Sequence, residues 1–165
     1  MKRQRGFTVI EVIVSLMITS IIGLTGAMAT GQVLTQSTKN SDYTTASRHA
    51  MNAIFWVSRD AQMSQTVTPS GATGFPLTLS WTEWDNSQHQ VVYSIAGGKL
   101  TRSYTINGGT PLATLVAQYV NSVSQNTTCN YADRVLTVRV TATVGDGAHA
   151  LSVSKTREIT PRPGL

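Results

Sequence analysis

The chain has 165 residues, of which 13% are charged, and this length supports one domain beyond a membrane segment rather than two. Its formal net charge of +5 suggests an anionic partner only at first sight: Lys2, Arg3 and Arg5 supply three of the charges, and from Phe7 onward ten basic residues stand against eight acidic ones. No run of Lys or Arg interleaved with aromatics marks a nucleic-acid groove, and the single Cys129 excludes an intrachain disulfide.

The basic N-terminus is followed by Gly6, Phe7 and an uncharged run interrupted once, by Glu11. No charged side chain then occurs before Lys39. Such a run exceeds the roughly 20 residues that a helix needs to cross a bilayer core, and the basic residues before it favour a cytoplasmic N-terminus. A carboxylate at the bilayer centre costs about 2.5–3.5 kcal/mol, less near the interface, and is a functional signal by default. Cleavage after Gly6 would expose the Phe7 α-amine as a partner for Glu11, in the same chain or in a neighbour. Two other readings account for the apolar run. One is an uncleaved anchor. The other is a secretory signal ending at Ala27-Met28-Ala29, with a released domain starting near Thr30. Glu11 weakens both, because it sits inside the apolar region.

The basic leader, Gly6, Phe7, Thr8, an apolar pair and Glu11 together resemble the class III signal of type IV prepilins and pseudopilins. The resemblance implies a leader, residues 1–6, removed between Gly6 and Phe7 by a prepilin peptidase that also N-methylates Phe7. It implies too that Glu11 is the assembly glutamate, with other pilin or pseudopilin subunits as partners. The expected location is the inner membrane, single-pass with the N-terminus inside, and then a periplasmic or surface filament. The lone Cys129 departs from the many pilins that close a C-terminal loop with a disulfide. It reads as a half-buried structural thiol, with pairing between chains left open.

Residues 7–34 form the hydrophobic membrane and assembly helix. Gly23, Ala27 and Gly31 recur every four residues on one face. Small residues so spaced let helix backbones approach closely in lipid, and they are also simply common in membrane helices. Residues 35–66 continue the helix in amphipathic form. Tyr43, Ala46, Ala50, Ile54, Val57 and Ala61 make a stripe that Met51 and Phe55 widen. No proline or glycine falls between Gln32 and Val67, so one helix is expected from Phe7 to about Ser64, roughly 85–90 Å long at 1.5 Å per residue. Arg59 and Asp60 read as its solvated end.

Residues 67–165 read as an antiparallel β head. Alternation over Leu77–Trp84, Val91–Ile95, Leu100–Ile106, Leu136–Val144 and Leu151–Ile159 marks strands, separated by Asp85-Asn86-Ser87, Gly97-Gly98, Asn107-Gly108-Gly109 and Gly145-Asp146-Gly147. Residues 112–124 fit a strand with a helical entry, and the tail 161–165 reads as loose. The fold class is therefore α+β: a long helical spine against an antiparallel sheet, as in pilins. Phe55–Asp60 followed by a β meander is similar more narrowly to minor pilins and J-type pseudopilins.

Catalysis has little footing. His49, His89 and His149 lie in no metal-ligand spacing, and there is no GxSxG. Ser152-Val153-Ser154-Lys155 matches SxxK without its companion motifs, and Asn126-Thr127-Thr128 is a sequon by pattern alone. No cofactor, metal or catalytic residue is expected. The reading is a structural subunit of a type IV pilus, type II secretion pseudopilus or competence pilus, with a membrane-tethered binding module that never polymerises as the alternative.

Overall fold

The computed structural model describes residues 8–123 and 125–162. The leader, Gly6 and Phe7, and with them the cleavage and methylation site, lie outside the described residues. Helix α1 runs Val9–Met63, followed by strands β1 Thr66–Pro69, β2 Leu77–Thr82, β3 Gln88–Ala96, β4 Lys99–Ile106, β5 Leu112–Ala117, β6 Thr128–Ala132, β7 Val135–Val144 and β8 Leu151–Ile159. The chain divides into two compact units, at Ser41/Asp42.

In the first unit every described residue is helical or at the helix start, and every one is exposed. Its apolar side chains, from Val9 to Leu34, are exposed.

In the second unit the rest of α1 buries Ala46, Ala50, Ala53, Ile54, Val57 and Ala61. Spacings of three and four place these side chains on one face, and the four alanines allow close approach of the strands. Tyr43, Met51 and Phe55 do not belong to this face: they are 54%, 58% and 56% exposed. Residue 51 lies about 100° around the helix from residue 50, so the expected widening of the stripe turns into a second, outward face. The helix ends where Ser64 folds back, its N–H to Asp60 O and Ala61 O and its hydroxyl to Ala61 O.

The strands form two antiparallel sheets rather than one. The first has the order β1-β2-β3-β4-β5 and the second β6-β7-β8. Leu77, Leu79, Val91, Tyr93 and Leu100 of the first sheet join Leu136, Val138 and Val140 of the second and Ala53, Ile54, Val57 and Ala61 of α1 in one core. Gly97 and Gly98, at φ 55° and 71°, make the two-residue turn between β3 and β4, a conformation that suits strand twist and needs positive φ at both positions.

Three expectations change. Trp84 lies in the turn after β2 rather than in the strand. Residues 112–117 are strand without a helical entry, with a register shift opposite Leu100/Thr101. Pro161 is buried, so the tail is anchored at least to that point. Two strands carry no alternation long enough to see: β1 has four residues, and β6 buries only Cys129.

Candidate functional site

The start of α1 is the segment that the sequence singles out. Thr8 precedes the first helical residue, and Glu11 stands three positions on. The Thr8 N–H and hydroxyl both donate to Glu11 Oε2 at 3.4 Å, and Glu11 N–H donates to Thr8 O at 3.0 Å. A carboxylate here meets free N–H groups and the positive end of the helix dipole. Glu11 thus has a local role that was readable in the Thr-x-x-Glu spacing. Both contacts are long and exposed, and both use one oxygen.

Helix α1 contains, near the N-terminus, a window long and apolar enough to cross a membrane. Its hydroxyls are satisfied internally. Ser15 donates to Glu11 O, Thr19 to Ser15 O, Ser20 to Leu16 O, Thr25 to Ile21 O and Ile22 O, and Thr30 to Gly26 O, all at 2.8–3.1 Å. Back-bonding of this kind leaves no hydroxyl donor to be satisfied by lipid. A Cβ built on Gly23 or Gly31 meets nothing within 4 Å, and Ala27 is exposed. Among the described residues this small face is therefore open.

The second unit holds a polar cluster that sequence reasoning missed. Asp60 is fully buried rather than solvated. It accepts Tyr93 Oη–H at 2.5 Å and a two-pronged bond from Arg102, at 2.6 and 3.2 Å. The Arg102 guanidinium lies between the rings of Trp56 and Tyr104, 5.4 and 4.9 Å from their centroids. Burial pulls Arg102 towards neutrality, but its hydrogen bonds to Asp60 and the Asp60 charge outweigh that and raise its pKa. Burial first, then the Asp60 charge and bond, pushes the Tyr93 phenol well above the usual range.

His89 stacks on Trp81 and, at a wider angle, on Tyr104. Ser87 donates to Asp85 at 2.6 Å, so its oxygen accepts from His89 Nε2–H at 2.9 Å, and the Tyr104 hydroxyl bonds to His89 Nδ1 at 2.5 Å. One chain of bonds thereby fixes the orientation of the His89 ring. These contacts tie the strands β3 and β4 to each other and, through Asp60, to α1. His49 instead accepts Gln118 N–H at 3.2 Å, and Asn52 donates to Val116 O at 2.6 Å, which fastens α1 to the end of β5. Among the described residues no group of His, Cys, Asp and Glu is arranged to hold a metal ion.

No curated protein and no solved structure matches the chain. Residues 1–27 match the family model of the prokaryotic N-terminal methylation motif. That motif covers the basic leader, Glu11 and the first turns of the charge-free helix, and it marks the chain as type IV pilin-like through its N-terminal signal.

Proposed function

We propose that the chain is a structural subunit, a minor pilin or pseudopilin of a type IV pilus, type II secretion pseudopilus or competence pilus. It is cut between Gly6 and Phe7 by a prepilin peptidase, N-methylated on Phe7, and drawn from the inner membrane into a filament through α1. The observation that carries this reading is the exposed, internally hydrogen-bonded apolar helix with one carboxylate, Glu11, lying under a methylation motif. In the assembled state the Phe7 ammonium of one chain and Glu11 of another set axial register, and the small face of Gly23, Ala27 and Gly31 lets helices close on one another.

The bonds from Thr8 to Glu11 favour a second reading, in which Glu11 merely caps the helix of a tethered binding module. Glu11→Gln separates the two, because glutamine retains the cap but not the charge. The expected result is normal insertion, cleavage and methylation, read by mass spectrometry of the N-terminus, with no incorporation into filaments. Normal incorporation would end the register argument, and a mature protein that begins at Met1 or Thr30 would end the pilin reading.

A further inference from the structure

The turn from Glu83 to Ser87 carries Trp84, which is 94% exposed. An indole held out at a turn has large apolar area and little support, the profile of an interface anchor. Its neighbours Glu83 and Asp85 are also exposed. Glu83 already faces His89 at 3.7 Å, and Arg162 lines the same groove as Trp84 and Glu83. Asp85 uses only Oδ1, towards Ser87, and the bonds from Ser87 hold its carboxyl below the usual range. The turn therefore presents an aromatic ring beside a free negative charge.

The outward face of α1 in the same unit is its counterpart. A groove of about 730 Å³ lies between Tyr43, Arg48, Met51, Phe55 and Val116. Tyr43, Met51 and Phe55 are more than half exposed. Arg48 is exposed and has no hydrogen-bond or ion-pair partner among the described residues. Aromatic and thioether walls with a cation at the side suit an indole, through ring packing, sulfur contact and cation–π attraction.

We propose that Trp84 of one copy docks in the Tyr43–Met51–Phe55 groove of a second copy, with Asp85 against Arg48. Both surfaces belong to every chain and they differ from each other, so the contact is head-to-tail and repeats into an open array unless it closes into a ring. The proposal deepens the filament reading and rests on it for its purpose, but the contact itself needs neither cleavage nor Glu11.

The test places p-benzoylphenylalanine at position 55 of the full-length precursor in detergent micelles, with photolysis and peptide mapping of the dimer band. The expected adduct lies within residues 82–86 of the second copy. Trp84→Ala should lower its yield by about tenfold or more. Arg48→Glu should lower it too, and Arg48→Glu with Asp85→Arg should restore it. Adducts elsewhere, no dimer, or a yield insensitive to Trp84→Ala would overturn the contact. Filaments that form normally in Trp84→Ala but fail in Glu11→Gln would remove the docking role while leaving the filament reading intact.

Discussion

Arg102 on β4 grips Asp60 on α1 across 42 residues of sequence, with Nε 2.6 Å from Oδ2 and a terminal nitrogen 3.2 Å from Oδ1. The pair fastens the amphipathic end of the helix to β4 of the first sheet. Arg102→Ala would leave the buried Asp60 carboxylate with the Tyr93 hydroxyl still donating to it but no cation beside it. Breaking a fully buried pair from one side costs about 3–5 kcal/mol, and the partial exposure of Arg102 places the expected loss at or below the lower end of that range. Arg102→Lys keeps the charge but loses the planar fork and the stack between Trp56 and Tyr104, so it should recover only part of the loss. Urea unfolding of the full chain in detergent, followed by tryptophan fluorescence, measures both. An unchanged midpoint in Arg102→Ala would show that the pair does not hold the helix.

Tyr93 makes the same cluster sensitive to alkali. Its phenol is raised by burial and by Asp60, so the folded state favours the neutral form more than the unfolded state does. The sign follows from linkage: this stabilisation is whole below the unfolded value near 10 and declines as pH rises beyond it. Phenolate absorbance should show one tyrosine that ionises only as the protein unfolds. Tyr93→Phe should abolish that late step and cost about 1.5–3 kcal/mol at neutral pH, through the lost bond to a charged acceptor.

What the sequence could and could not reveal divides along one physical line. Local periodicity made the second part of α1 readable, along with β2 and β3, which bury one face at a regular spacing. Strands β4, β7 and β8 were legible from alternating residue type between turn residues, although their burial alternates less cleanly. The lone Glu11 in a charge-free run, and the motif around it, were equally visible. The split into two sheets was not, since it depends on which strands meet far along the chain. Asp60 reads locally as a solvated helix end because its partners lie on β3 and β4. A clue existed nonetheless. Asp60 falls in step with Ala53, Val57 and Ala61, and Arg102 sits between Leu100 and Tyr104 in an alternating strand. Opposite charges placed on two apolar faces are explained by pairing.

Gly74 is required by the loop that crosses β6. A Cβ there would stand 1.8 Å from Cys129 O and 2.9 Å from Cys129 Cβ, and its φ is +78°. The loop is also bonded to the strand, Cys129 N–H to Thr73 O at 2.8 Å. Gly74→Ala must therefore displace backbone, and a loss of at least about 2 kcal/mol is expected in the same urea assay. Gly108→Ala serves as the comparison: it also has positive φ but open space around it, and should cost only about 1 kcal/mol.

Cys129 should be inert in the folded protein. Burial pushes its thiol up to about 12, and the thiolate is the reactive form. Iodoacetamide at pH 8 is expected to leave the native chain unmodified and to label it fully in urea. Because the folded value is the raised one, stability conferred by the neutral thiol is complete below the ordinary value near 9 and falls as pH climbs towards 12. Rapid native labelling would show that the strand edge at β6 opens.

The turn between β6 and β7 is strained where its counterpart between β3 and β4 is not. Asp133 and Arg134 sit at φ 51° and 65°, the two central positions of a hairpin turn that favours Asn-Gly. An L-residue with a side chain resists this region, by roughly 1–2 kcal/mol in the left-handed helical conformation. Arg134 has no bond that would be lost among the described residues. Asp133→Asn with Arg134→Gly should therefore stabilise the fold, by about 0.5–1 kcal/mol once the greater freedom of glycine in the unfolded chain is subtracted. The same pair of residues placed at Gly97-Gly98, as Gly97→Asp with Gly98→Arg, should shift the urea midpoint the opposite way. If the two swaps moved stability in the same direction, turn conformation would not be the cause.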